Sequence, residues 1–162
     1  MGTVLVDDNL VHVTRLDQAE TMRVIRNSCR EFMTNDTHEI LPTEQQAWFE
    51  SIRNSETVLP FIYQPRRGAA MGYGLIRFER DKWWVSGGLL PAHRGQGIGK
   101  DLFFELADYV NALGHTCWLT VWQWNEPAWR TYQALGFICE PPIVTPDGCV
   151  MLEMKREPKA QR

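Results

Sequence analysis

The stretch from Ser86 to Leu113, SGGLLPAHRGQGIGKDLFFELADYVNAL, constrains this chain more than any other. An apolar strand end passes through a proline turn and a glycine-rich loop into a long amphipathic helix. The first N–H groups of such a helix have no intrahelical partner and carry the positive end of its dipole, so the junction is built to hold an anion. Gly95, Gly97 and Gly99 open the backbone to close approach, and Arg94 and Lys100 add full positive charges at the rim. On physical grounds alone, the loop binds a phosphorylated cofactor. It is not a nucleotide P-loop, because GQGIGK lacks the GxxxxGK[ST] order and Asp101 stands where a magnesium-binding hydroxyl belongs. A dinucleotide fingerprint fits poorly too, since the glycines alternate and lie in mid-chain, away from an opening strand-loop-helix unit.

The flanking sequence supplies a mixed fold to carry this loop. Leu10 to Leu16 alternates as a first strand, and Asp17 with Glu20 makes a capping arrangement for a helix with Met22, Ile25, Cys29 and Phe32 at helical spacing. Thr43 with Gln46 caps a second, short helix bearing Trp48 and Phe49. Val58 to Tyr63 and Ala69 to Phe78 read as antiparallel neighbours across the QPRRG turn, and WWVSGGLL continues the sheet. Ile98, Leu102, Leu106, Tyr109 and Leu113 share one face of the third helix, which Gly114 stops. Cys117 to Trp124 is too apolar for an edge strand and belongs centrally. Pro127 opens a fourth helix ending at Gly136, and FICE and CVMLEMK close the sheet around the turn at Pro146 to Gly148. The expected fold class is α+β, a mixed, mostly antiparallel central sheet of about seven strands flanked by about four helices. It forms a single domain over residues 1–157, with 158–162 a frayed tail.

Length and composition agree with this. The chain has 162 residues, 44% hydrophobic and 23% charged, enough for one ordinary domain with a full core. A formal charge of -3 provides no global field for nucleic acid or an anionic membrane, and no apolar run reaches the length of a membrane span. The N-terminus lacks a signal pattern, so a cytoplasmic location is expected. Cys29, Cys117, Cys139 and Cys149 have no CxxC pairing and each falls in an expected helix or strand. They read as buried free thiols rather than disulfides or metal ligands, and no metal site is expected. Trp83, Trp84, Trp118, Trp122 and Trp124 crowd two central strands, mostly as core, so that a cleft between those strands would be aromatic-lined.

Proline, two residues, arginine, then RGQGIG opening a helix resembles the acetyl-CoA pyrophosphate loop of the GNAT superfamily of N-acetyltransferases, with Arg94, Gly97 and Gly99 on its R-x-x-G-x-G core. WQWNEPAWRTYQALGF resembles a second segment of that superfamily, in which an asparagine leads to a tyrosine in a helix ending at Gly-Phe; Asn125, Tyr132, Gly136 and Phe137 match. The order of elements resembles the whole GNAT order, so the likeness covers nearly the entire chain. It implies acetyl-CoA as cofactor, held at Leu89, Leu90, Arg94, Gly95, Gln96, Gly97, Ile98, Gly99, Lys100, Asn125 and Tyr132. It also implies direct transfer of the acetyl group to a primary amine in a ternary complex. In the superfamily the pantetheine arm lies along the strand before the loop, which implicates the backbone of Leu89 and Leu90. The Leu89 N–H then polarises the thioester carbonyl, and the Tyr132 hydroxyl serves the departing thiolate. Gly87 and Gly88 mark a bulge, a close backbone approach or a simple bend.

An alkyl amine with a pKa of about 10 is almost wholly protonated at neutral pH, so a proton acceptor is required. Some members of the superfamily use a glutamate on the strands beside the cofactor, where this chain has Ser86 and Thr120. A water chain, His38 or Glu39 remain as alternatives. The segments IRN (Ile25 to Asn27), Arg30, Met33 and QQAWF (Gln45 to Phe49) faintly resemble relatives that acetylate amino sugars or small amines. The candidate substrate residues are His38, Glu39, Trp84, Ser86 and Trp122, the tryptophans offering flat faces or simply packing in the core. A small amine or amino sugar is the expected acceptor. A protein amine acceptor, a catalytically silent acyl-CoA sensor or interaction domain, and a homodimeric assembly stay open.

Overall fold

The computed structural model describes residues 9–160. The first eight positions of the expected domain and the last two of the expected tail lie outside the described residues. In chain order the elements are β1 (Leu10–His12), α1 (Leu16–Asn27), α2 (Pro42–Ile52), β2 (Val58–Tyr63), β3 (Gly72–Glu79), β4 (Lys82–Leu89), α3 (Ile98–Ala112), β5 (Cys117–Trp122), α4 (Glu126–Ala134), β6 (Ile138–Cys139), β7 (Ile143–Val144) and β8 (Val150–Arg156). The strands form one sheet in the order β1-β2-β3-β4-β5-β8-β6, with β7 also on β8. Every pairing is antiparallel except β4 with β5, which is parallel and holds only at Trp83–Cys117 and Trp84–Trp118. The α+β class therefore holds, the eighth strand being one of the two short edge pieces β6 and β7.

Strand alternation sends neighbouring residues to opposite faces, and each face carries its own core. Phe61, Ile76, Val85 and Leu89 pack against Leu102, Leu106 and Val110 of α3. Ile62 and Tyr73 pack against Met22 and Ile25 of α1 and Phe49 of α2. Each fully buried aliphatic side chain contributes about 1.5–3 kcal/mol, so the two cores fix the helices on either side of the sheet. The buried stripe of α3 is Leu102, Phe103, Leu106, Ala107 and Val110, whereas Leu113 lies just past the helix end and is exposed, which corrects its expected place on that face. No helix among the described residues is long and apolar enough to cross a membrane.

Local signals explain most boundaries, and four expectations need correction. β1 stops at His12 rather than Leu16, and the α1 start is capped by Gln18, whose Oε1 accepts the N–H groups of Thr14 and Arg15 at 2.9 and 3.1 Å. Asp17 instead binds the Arg15 guanidinium and Glu20 binds Arg23. At α2 the cap is Glu44, accepting from the Leu41 N–H at 3.0 Å, with Pro42 opening the helix, so the Thr43–Gln46 box is not used. Cys29 and Cys117 are buried, but Cys139 is exposed and Cys149 only partly covered, because β6 and the turn before β8 lie at the sheet edge. The β3–β4 hairpin closes on Arg80 and Asp81, with φ of 52° and 61°. A two-residue hairpin wants both positions left-handed, a geometry that suits Asn and Gly better than Arg.

Candidate functional site

A cavity of about 920 Å³ runs through the sheet where β4 and β5 part. It is lined from both faces, by Trp84, Ser86 and Thr120 on the α1 side and by Val85, Phe103 and Tyr132 on the α3 side. The parting exposes a strand edge. The Leu90 N–H donates to the Met71 carbonyl at 2.9 Å, which sets the antiparallel alternation. Trp84, Ser86 and Gly88 exchange hydrogen bonds with β3, whereas Gly87 and Leu89 turn their backbone groups away from β3, toward the gap. The Leu89 carbonyl accepts from Arg94 Nε at 3.1 Å and from Cys29 Sγ at 3.3 Å. The N–H groups of Gly87 and Leu89 are thus the donors that β4 turns toward the cleft.

The paired glycines are a close approach and not a bulge. The ladder register runs through both without an inserted residue. A Cβ on Gly87 would lie 2.6 Å from the Tyr73 carbonyl oxygen, and one on Gly88 would lie 2.6 Å from Cys29 Sγ. Side chains at these positions would push β3 and α1 off the strand.

The loop after β4 supplies the anion cradle. Gly95 and Gly97 adopt left-handed φ of 75° and 81°, and a Cβ on either would meet nothing within 4 Å. Gly97 caps α3, and Gly99 in its first turn faces only Leu89 Cδ1 at 3.7 Å. Gly95, Gly97, Gly99 and Lys100 all line the cavity, so the unpartnered N–H groups of α3 meet open space there. Lys100 is exposed at the rim as expected, free of any ion pair among the described residues. Arg94 lines the cavity too but turns its guanidinium inward. It donates to the Ser28 carbonyl at 2.8 Å as well as to Leu89, and sits 5.0 Å from the centre of the Phe32 ring. Arg94 thereby ties the end of β4 to the C-terminal end of α1, whose dipole it complements. Leu90, Gln96 and Ile98 lie outside the cavity, and the Gln96 amide donates to the Ala92 carbonyl at 3.1 Å.

Across the cleft, α4 presents Tyr132. Its ring is buried between Phe103, at 4.8 Å, and Phe137, at 6.1 Å between centroids. It lines the cavity, and its hydroxyl makes no hydrogen bond among the described residues. Burial pushes its pKa up, so it keeps its proton throughout the neutral range. Asn125 caps α4 with its backbone carbonyl, which accepts from Ala128 and Trp129, and so it too lines the cavity.

The opposite wall is built by the segment between α1 and α2. Trp122 Nε1 donates to the Met33 carbonyl at 2.9 Å, and the Thr120 and Thr34 hydroxyls bond at 2.6 Å, which docks this segment on β5. Trp122 is therefore a tie outside the cavity rather than a lining residue. Farther along, Arg26 donates to the carbonyls of Asp36 and His38, Arg23 and Asn27 to that of Ile40, and Arg30 to that of Thr37. The pinned loop holds His38 at the cavity wall between Asp36 Oδ1 at 2.5 Å and Glu44 Oε2 at 3.1 Å. Hydrogen bonds to Asp36 and then Glu44 raise the His38 pKa, and the same contacts help to lower those of both carboxylates. Sequence reasoning missed Asp36 and Glu44, although their spacing around His38 was the available signal. Glu39 lies outside the cavity, while Ser86 lines it, exposed, and Trp84 lines it with its indole N–H fixed on the Glu79 carbonyl at 3.0 Å.

Residues 20–137 match the model of the acetyltransferase (GNAT) family. No curated protein matches the chain by sequence. Among solved structures, a spermidine N-acetyltransferase from Vibrio cholerae in complex with CoA and spermine superposes with a TM-score of 0.79 at 14% identity, over 94% of this chain and 97% of that one. An N-acetyltransferase from Staphylococcus aureus Mu50 gives 0.77 at 17% identity over 94% and 100%. A phosphinothricin acetyltransferase from Sinorhizobium meliloti in complex with acetyl-CoA gives 0.74 at 21% identity over 91% and 86%.

Proposed function

We propose that this chain, which belongs to the acetyltransferase (GNAT) family, carries an acetyl group from acetyl-CoA directly to the primary amine of a small acceptor bound in the same cavity. Membership makes it an acyltransferase with acetyl-CoA as cosubstrate, and the residues present fit that molecule. The observation that carries the reading is the parted β4–β5 edge, whose free donors lead straight into the open glycine cradle at the start of α3.

Bound acetyl-CoA supplies the activated acyl group. The first-turn N–H groups of α3, with Lys100, hold the pyrophosphate, while the β4 edge pairs with the pantetheine arm. The Leu89 N–H, turned toward the gap, would donate to the thioester oxygen of bound acetyl-CoA and stabilise negative charge there. Tyr132 would hold a proton at the sulfur, since its hydroxyl keeps its proton, lines the cavity and has no hydrogen-bond partner among the described residues. In the acceptor half, the Asp36–His38–Glu44 group carries net negative charge with His38 protonated, so it attracts and orients the ammonium at the cavity wall, and the proton that the ammonium must lose passes to water on the open side of the cavity. Ser86 and Thr120 are hydroxyls and not bases at neutral pH, and Thr120 already bonds Thr34. The acceptor is a small amine, including amino sugars.

The test is thiol release from acetyl-CoA with a mixed panel of amines. The expected result is release that depends on the acceptor. Tight CoA binding with no acceptor-dependent release from any amine would overturn the assignment.

A further inference from the structure

Building on the acyl-transfer reading, we propose that the acceptor carries an anionic group, a carboxylate or its equivalent, besides its amine, and that Arg77 and Arg80 with Trp84 form the subsite for it. The β3–β4 ladder lays out one wall of the cavity as three cross-strand pairs, Tyr73–Gly88, Leu75–Ser86 and Arg77–Trp84, and all six residues line it. At about 3.4 Å per residue, the Arg77–Trp84 pair stands about 7 Å from Ser86 and about 14 Å from Gly88, farther from the cofactor cradle. A small acceptor with its amine near Ser86 therefore reaches the arginines with its other end.

The cations on this wall are distinguished by what already binds them. Arg26 is held by the carbonyls of Asp36 and His38, and Arg94 by those of Ser28 and Leu89. Among the described residues Arg77 ion-pairs only with Glu79, at 3.5 Å in a partly exposed pair. Arg80 has no carboxylate or carbonyl partner among the described residues; its guanidinium lies 5.5 Å from the centre of the Trp84 ring, and that indole is fixed by the Glu79 carbonyl. Across the cavity the acidic side chains Asp36 and Glu44 already face His38, which leaves their shared negative charge for the ammonium end. The backbone gives a second, independent sign. Arg80 occupies a left-handed turn position, φ 52°, that glycine or asparagine would fill with less strain, and strained positions of this kind gather at functional sites. An amine with an anionic end meets complementary charge at both ends, whereas a polyamine places a second cation against two guanidinium groups.

The experiment compares amino acids with carboxamides of the same skeleton as acceptors, with spermidine and glucosamine alongside, by thiol release and by calorimetric titration into the CoA-bound enzyme. Wild type should favour the acid over its amide by about tenfold or more in kcat/KM, the effect of one charge-assisted hydrogen bond. Arg77→Gln and Arg80→Gly should each pull that ratio toward one through KM, and Arg80→Gly should keep or raise the melting temperature, since glycine suits the turn. An acid-to-amide ratio at or below one in wild type, or a ratio unmoved in the folded variants, overturns the subsite. If no amine supports turnover, the acyl-transfer reading fails, and calorimetry still decides the subsite. Acid binding that the two variants abolish upholds it, and no acid binding to wild type rejects it.

Discussion

Gly99→Ala separates what the glycine loop does for the fold from what it does for the ligand. Gly99 sits in the first turn of α3 with ordinary helical backbone, and a Cβ there meets only Leu89 Cδ1 at 3.7 Å, a normal contact. For the protein alone the change is therefore benign. Alanine in place of glycine in a helix stabilises by about 0.5–1 kcal/mol, which in a domain of this size raises the melting temperature by about 1–4 °C. For the ligand it is harmful, because the methyl group occupies the open space in front of the α3 N–H groups. Loss of one charge-assisted hydrogen bond to the pyrophosphate costs about 1.5–3 kcal/mol, or about ten- to hundredfold in CoA affinity. Differential scanning fluorimetry of the free protein and calorimetric titration with CoA read the two effects separately. A stable variant that binds CoA as tightly as wild type would refute the placement of the pyrophosphate at α3, and a fall in melting temperature would refute the reading of open space.

Tyr132→Phe should lower kcat by about a hundredfold or more with little change in CoA affinity or melting temperature, since the hydroxyl has no partner to lose; unaltered turnover removes Tyr132 from the mechanism. Gly88→Ala drives a methyl group to within 2.6 Å of Cys29 Sγ and should destabilise by about 1–3 kcal/mol in urea titrations. The double variant with Cys29→Ala should recover part of that loss, and strict additivity would disprove the contact. His38 has a raised pKa, so its contribution to folding is complete below the unfolded value of about 6.5 and disappears as pH rises through the higher folded value. Asp36 and Glu44, held low, behave oppositely and lose theirs as pH falls through their folded values. The melting-temperature gap between wild type and His38→Ala should thus narrow as pH climbs from about 6 to 9, and a constant gap in calorimetry would contradict the Asp36–His38–Glu44 contact.

That the glycine loop, Asn125 and Tyr132 line one cavity was legible in the sequence because the signals are local. Glycines before an amphipathic helix, and an asparagine and a tyrosine on the next strand-helix unit, act within a few residues of where they stand. Arg94 lines the cavity as read, but its contacts with the Ser28 carbonyl and the Phe32 ring could not be foreseen, because they lie on a segment distant in sequence. The acceptor half was mostly hidden for the same reason. The loop that bears His38 is held by Arg23, Arg26, Asn27 and Arg30 through backbone carbonyls, which leave no side-chain pattern to read. Helix starts went astray where a single side chain, Gln18 or Glu44, outcompeted the boxes suggested by spacing. Apolar patterning placed Val58 to Tyr63 beside Ala69 to Phe78 and put Cys117 to Trp124 centrally, but only the structure shows the full strand order and that β4 and β5 pair at two positions and then part.

A crystal structure of the protein with CoA tests the central claim most directly. The pantetheine arm should lie between β4 and β5, hydrogen-bonded to the Gly87 or Leu89 backbone, with the pyrophosphate on the N–H groups around Gly97 to Lys100 and the sulfur beside Tyr132. CoA bound elsewhere, or bound here with its sulfur away from Tyr132 and the β4 edge unpaired, would contradict it.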